Sequence, residues 1–219
     1  MNADGTVAVA ATRALLPQCG LDAGLARRLS ICGCDMSAEV PGTRWEQDET
    51  TAAMATRAPS MRHGGFLRDA QWFDNSFFGV SPAEAAVMDP QQRLLLEQGY
   101  AALHDAGQRK QALMGSGTGV FVGLWACEYT EVLSSSPAGE SVYAATAATC
   151  SVVVGRVSFA LGLHGPCISF DTACSSSLAA SHAAMRGLQC SECGDALVAG
   201  VNMVFSRAAS MICGVAGMT

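Results

Sequence analysis

Ile168-Ser-Phe-Asp-Thr-Ala-Cys174-Ser-Ser-Ser-Leu178 is the stretch whose reading decides the fold. Cys167-Ile-Ser-Phe170 is a short apolar run behind Gly165-Pro166 and predicts a buried strand. Asp171 to Ser177 consists of residues that cap helices and tighten turns. From Ser175 to Leu188 the chain is dense in alanine, with Leu178, Met185 and Leu188 among the small residues, and predicts a helix. The order is strand, sharp turn, buried helix, with Cys174 at or next to the helix N-terminus.

That position suits a nucleophile. A helix N-terminus presents unpaired N–H groups and roughly half a positive charge, which favours a thiolate. The same N–H groups can hold the oxyanion of a tetrahedral intermediate. A serine occupies the equivalent turn in the Gly-x-Ser-x-Gly elbow of hydrolases. Cysteine in that place suits acyl transfer through a thioester.

Working outward, 219 residues, half of them hydrophobic, suffice for one sizeable core or two small ones. Charged residues are only 15% and the formal net charge is −6, which argues against a nucleic-acid binder. No apolar run is long enough for a transmembrane segment, and Met1 to Thr6 lacks the charged start and long apolar core of a signal peptide. Ten cysteines at irregular spacing, several in apolar runs, predict reduced thiols in a cytoplasmic compartment, with a plastid as the alternative. The Cys190–Cys193 pair lacks a second ligand pair at matching spacing, so no metal is expected.

The remaining chain alternates strand and helix signals. Val7 to Ala11 predicts a first strand, Leu25 to Leu29 a short helix, Val40 to Trp45 a turn with an aromatic anchor, and Glu46 to Pro59 a surface loop. Ser81-Pro82 and Asp89-Pro90 each read as an N-cap followed by proline at the first helical position. Leu94, Leu95, Gln98, Ala101 and Ala102 continue the second helix until Asp105-Ala-Gly107. Arg93 and Glu97, four residues apart, read as a surface or interface pair. Gly115 to Gly119 lacks the Gly-Lys-Ser/Thr ending of a phosphate loop and precedes a strand, so it is a connector into Val120 to Leu124. Glu128 to Glu140 reads as a polar loop, Ala196 to Val204 as an apolar strand and Ser206 to Cys213 as the start of a helix. Ser151 to Val154, β-branched, is open between strand and helix on propensity alone. This alternation predicts an α/β fold with a mixed, largely parallel sheet.

Several of these stretches resemble one family. Asp171 to Leu178 is similar to the active-site motif of the β-ketoacyl synthase (ketosynthase) domains of type I polyketide synthases and animal-type fatty acid synthases. Gly65 to Pro82 resembles that family's Gly-Gly-Phe-Leu … Phe-Phe-Gly-Ile-Ser-Pro segment. Glu84 to Glu97 resembles its Met-Asp-Pro-Gln-Gln-Arg helix, and Ala196 to Asn202 its Ala-Leu-Ala-Gly-Gly-Val-Asn strand. Arg44-Trp45 matches an Arg-Trp pair of the family.

The resemblance implies the N-terminal half of a thiolase-like fold over residues 40–219, truncated before the catalytic-histidine region. Residues 1–39 form a divergent N-terminal segment. It implies one helix over 141–165 and a buried helix carrying Cys174. It implies an acyltransferase of the 3-oxoacyl synthase type. An acyl group passes from a carrier-protein thioester to Cys174, the catalytic residue, and a malonyl-type extender then adds by decarboxylative Claisen condensation. No cofactor binds directly, since substrates ride on the phosphopantetheine of acyl carrier protein, the expected partner; a homodimer is expected of the complete protein. The family's two catalytic histidines and lysine lie in its C-terminal half. None of their motifs surrounds His63, His104, His164 or His182. His182 lies eight residues beyond Cys174, about 12 Å along a helix axis, beyond hydrogen-bond reach. A fragment of a condensing enzyme and a non-catalytic half-domain that binds acyl carrier protein or a complementary subunit are therefore both open. An acyltransferase or thioesterase-like enzyme is a weaker third reading.

Overall fold

In a computed structural model, residues 5–17, 23–42, 44, 62–125 and 128–217 are described. The chain forms two compact units, one from residues 14–69 and 203–219, the other from 1–13 and 70–202. The first holds helix α1 (Ala23–Ile31), the two-residue antiparallel strands β1 (Ala38–Glu39) and β2 (His63–Gly64), and a C-terminal helix at Arg207–Val215. Its Arg44 guanidinium lies 5.9 Å from the ring centre of Phe66 and 5.7 Å from that of Phe205, a cation stacked between two aromatic side chains. A hydrogen bond from Arg44 N–H to Pro41 O makes the expected turn; Trp45 and the loop at 46–59 fall outside the described residues.

The second unit carries the sheet. In chain order it contains α2 (Asn75–Phe78), α3 (Pro82–Val87), α4 (Pro90–Asp105) and α5 (Lys110–Leu113). Then come β3 (Gly119–Leu124), α6 (Tyr129–Ser134), α7 (Ala144–Ala147), α8 (Cys150–Leu161) and β4 (Cys167–Phe170). It ends with α9 (Ser176–Gln189) and β5 (Ala196–Val201). The three strands are parallel in the order β4-β3-β5. Central β3 is buried throughout, and its alternation divides the core. Val120, Val122 and Leu124 pack with Leu95, Leu96 and Leu103 of α4 and with Val153, Val157 and Leu161 of α8. Phe121 packs on the opposite face with Ala180 and Ala184 of α9.

The proline-led helices start as their sequences dictate. Ser81 Oγ accepts the Glu84 N–H at 3.1 Å, and Asp89 Oδ1 accepts the Gln91 N–H at 2.7 Å. Gln92, fully buried, then ties α4 to the α7–α8 junction. Its Nε2 donates to Ala147 O at 2.9 Å and to Thr146 O at 3.1 Å, and its Oε1 accepts from Arg156 Nε at 2.6 Å. Arg156 also pairs with Glu84.

The structure departs from the sequence reading at several places. Val7 to Ala11 is not a strand; it is irregular, and Val9 is 79% exposed. The polar segment at 128–140 contains α6 and a 3₁₀ turn at Pro137–Glu140, because Leu133 finds a small apolar cluster with Val87 and Ala147. The single helix expected over 141–165 is two helices. Thr149 is extended (ψ 128°), and the carbonyls left at the end of α7 are taken by Gln92 and by the Asp89 N–H instead. Arg93 and Glu97 make no ion pair with one another: Arg93 donates to Gln71 O at 3.3 Å, and Glu97 accepts the Asp74 N–H at 3.3 Å. Strand β4 is not buried: among the described residues it pairs only with β3, and Ile168 is 41% exposed. Helix α9 buries one face only, since Ala180, Ala184 and Gly187 meet the sheet side while Leu178 on the other side is 73% exposed.

Candidate active site

The site is built at the carboxyl end of β4. After Phe170 the chain turns through Asp171 and Thr172 into a 3₁₀ turn at Ala173–Ser175, with Cys174 in its middle, and α9 begins at Ser176. Cys174 is exposed and its thiol is free. Ala173 holds φ at +54°, a left-handed conformation that costs a non-glycine residue roughly 1–2 kcal/mol. Such strain persists only where neighbours over-determine the backbone.

Here the serines do so. Ser176 is buried; its Oγ accepts the Thr172 N–H at 2.9 Å and donates to Ala173 O at 2.7 Å, so one hydroxyl just after Cys174 ties back to the two residues just before it. Ser175 makes no side-chain cap for α9. Its Oγ turns back to donate to Thr172 O at 2.8 Å and lies 2.9 Å from Thr172 Oγ1. Asp171 Oδ1 accepts the Ala173 N–H at 3.3 Å. The polar residues that read as helix caps thus bind the turn to itself.

Two glycines lie directly beneath. Gly123 of β3 and Gly200 of β5 are register partners, and Gly123 is also opposite Phe170. A Cβ on Gly123 would sit 2.5 Å from Ser176 C and from Ser177 N. A Cβ on Gly200 would overlap Ser177 Oγ. A glycine inside a strand pattern signals close approach of another backbone. Both lay in sequence stretches read only as strands, and their position under the turn was missed.

The histidines are dispersed. His63 is on β2; His104, near the end of α4, has its ring 6.1 Å from that of Tyr100. His164 follows α8, its N–H bonded to Ser116 O, and His182 is exposed on α9. Cys190 caps the end of α9 on the surface, while Cys193 is buried near Phe121 and Gly119, and burial pushes its thiol up. Among the described residues no group of three or more His, Cys, Asp or Glu side chains is gathered to hold a metal, and no helix is long and apolar enough to cross a membrane.

The geometry places one exposed thiol in a strained, cross-tied turn between a parallel strand and a helix resting on its sheet. Comparison with known proteins meets that geometry. The family model described as "Beta-ketoacyl synthase, N-terminal domain" matches residues 4–219. A highly reducing polyketide synthase of Gibberella zeae is 41% identical over 201 residues, covering 90% of this chain and 8% of that protein. The erythronolide synthase of Saccharopolyspora erythraea is 44% identical over 178 residues, 81% of this chain and 5% of that protein. The chain therefore spans less than a tenth of the length of these relatives.

Among solved structures, the ketosynthase from module 6 of the bacillaene synthase of Bacillus subtilis 168 superposes with a TM-score of 0.76 at 30% identity. That alignment covers 93% of this chain and 32% of the other. An oxazolomycin ketosynthase domain of Streptomyces albus JA3453 gives 0.78 at 32% identity, over 95% and 37%.

Proposed function

The chain belongs to the β-ketoacyl synthase family, as an N-terminal domain of the polyketide synthase type, and on that premise we propose that Cys174 is its acyl acceptor. The Cys174 thiolate attacks the carbonyl of an acyl group held as a thioester on acyl carrier protein. The tetrahedral intermediate collapses, the carrier's phosphopantetheine sulfur leaves as a thiolate that takes up the proton the Cys174 thiol gave to solvent, and the acyl group stays on Cys174. A malonyl-type extender on a carrier then loses carbon dioxide, and the resulting enolate carbon attacks the acyl-Cys174 carbonyl and releases the thiolate. Groups that stabilise that enolate come from outside the Cys174 turn, in the native polypeptide or a partner.

The single observation that carries this reading is the exposed Cys174 thiol at the centre of a turn that Ser176 ties back to Thr172 and Ala173. Residues 40–219 are the ketosynthase segment proper and 1–39 its more divergent opening. The working form is a homodimer that takes substrates from acyl carrier protein. The compartment is the cytoplasm, where ten cysteines stay reduced.

The test is acylation of the native polypeptide by an acyl-thioester, with the modified residue located by mass spectrometry. Wild type should carry the acyl group on Cys174, and Cys174→Ala should carry none. Acylation that survives the substitution would remove Cys174 from the role.

A further inference from the structure

We propose that Gly123 and Gly200 form a two-glycine seat that sets the height of the Cys174 turn above the sheet, and so act as positioning residues for acyl transfer. The proposal rests on Cys174 being the acyl acceptor. Three observations carry it. The glycines are register partners on adjacent parallel strands, so they form one patch without side chains. Gly123 underlies Ser176 and Ser177, and Gly200 underlies Ser177, so both bear on the first turn of α9. Those residues directly follow Ser175, the last residue of the Cys174 turn, and Ser176 holds Thr172 and Ala173 by hydrogen bonds. Anything that lifts Ser176 moves the turn with it.

The alternation of the strands demands nothing so small. Phe121, two residues before Gly123, faces the same helix with a full aromatic ring, and its register partner Val198 sits two residues before Gly200 on the same face. The sheet surface thus tapers toward the carboxyl ends of β3 and β5, and the start of α9 drops into the space that two missing side chains leave. The two contacts differ in kind. Gly123 faces main-chain atoms, Ser176 C and O and Ser177 N, which cannot rotate away. Gly200 faces the Ser177 hydroxyl, with Ser177 Cβ 3.2 Å from the position its own Cβ would take. An added methyl group at Gly123 displaces the turn, one at Gly200 presses on Ser177 Cβ even after the hydroxyl rotates, and a displacement of about 1 Å can cost on the order of 100-fold in rate.

The experiment uses the native polypeptide carrying this chain. Gly123→Ala and Gly200→Ala are each made alone and in a Ser177→Ala background. Two rates are read: acylation of Cys174 by an acyl-thioester, resolved into kcat and KM, and alkylation of Cys174 by iodoacetamide at fixed pH, located by mass spectrometry. The expected result is a fall in kcat of roughly 10- to 100-fold for both glycine variants with KM little changed. In the Ser177→Ala background the Gly200→Ala loss should shrink several-fold, while the Gly123→Ala loss should persist, because truncating a hydroxyl relieves only the side-chain clash.

Wild-type kcat in Gly200→Ala would overturn the seat. So would a Gly200→Ala loss that Ser177→Ala leaves untouched, or equal rescue of both glycine variants. Should Gly123→Ala prove insoluble, the Gly200 and Ser177 pair decides alone, since its clash is with a rotatable side chain. Alkylation separates the two readings. A changed alkylation rate at Cys174, with acylation found on another residue, would sink the acyl-acceptor assignment and leave the seat standing.

Discussion

Ser176 Oγ donates to Ala173 O at 2.7 Å, spanning the turn that has Cys174 at its middle. The same oxygen accepts the Thr172 N–H, so a single buried hydroxyl holds the peptide group entering Thr172 and the one leaving the strained Ala173. Ser176→Ala takes its partner from the Thr172 N–H, while Ala173 O keeps the Ser176 N–H. That should cost about 0.5–1.5 kcal/mol. Because the lost bonds are local, acylation of Cys174 should fall by more than the shift in urea midpoint implies. Measuring both on one preparation checks this, and an unchanged acylation rate would remove Ser176 from the positioning role.

Gln92 and Arg156 form the next relationship to probe. Gln92 satisfies two carbonyls at the α7–α8 break and accepts from Arg156. Gln92→Leu removes three hydrogen bonds, while Ala147 O keeps the Asp89 N–H and Arg156 keeps Glu84, so the loss should be about 1–3 kcal/mol in all. Arg156→Met should cost a similar amount, and the double variant less than the sum, since the two remove one shared network. Urea unfolding of the four proteins measures the coupling. Strict additivity would mean that the hydrogen bond between them contributes nothing.

Asp89 sets a pH dependence. Burial raises its carboxyl above the ordinary aspartate range, and hydrogen bonds from Gln91 and the charge of Arg93 oppose that only in part. A carboxyl whose folded value lies above its unfolded one favours folding while it is protonated. That contribution is fully present below the unfolded value, about 3.9, and is lost as pH rises through the folded value. Asp89→Asn keeps an acceptor for the Gln91 N–H and removes the titration. Relative to wild type, the variant should therefore gain stability as pH is raised from about 4 to 7. A wild-type-minus-variant difference that stays flat over this range would show that Asp89 does not titrate there. Asp105 has the opposite sign: the Arg13 hydrogen bond holds it low, so its contribution is lost as pH falls.

Gly165 and Gly155 should respond oppositely to alanine. A Cβ on Gly165 would come within 2.5 Å of Thr118 C and O, main-chain atoms of the connector into β3. Overpacking of that kind costs typically about 1–3 kcal/mol. A Cβ on Gly155, inside α8, would meet nothing within 4 Å. Gly155→Ala should stabilise by about 0.5–1 kcal/mol through helix propensity and a less free unfolded chain. Thermal or urea midpoints of the two variants decide it, and a gain for Gly165→Ala would contradict the close approach.

How much was legible in the sequence follows from the range of the forces involved. The caps at Ser81 and Asp89, the helix end at Gly162 (φ +67°), the central strand at 120–124 and the strand–turn–helix around Cys174 rest on neighbours within a few residues, so local chemistry determined them. The expectation of an acyl-accepting cysteine at Cys174 also came from residues adjacent to it, and it stands as the proposal that acylation tests. The break at Thr149 was not, because a glutamine 54 residues away competes for the carbonyl of Thr146. Nor was the helix inside the polar segment at 128–140, whose Leu133 is covered by Val87 and Ala147, 46 and 14 positions away. The glycine seat belongs to the same class. Gly123 and Gly200 are 77 positions apart, and only the register of β3 with β5, together with α9 crossing them, makes one surface of the two. The sequence by itself determined where a nucleophile could be held. The tertiary structure decided what holds it, because hydrogen bonds and steric exclusion act over ångströms of space and take no account of distance along the chain.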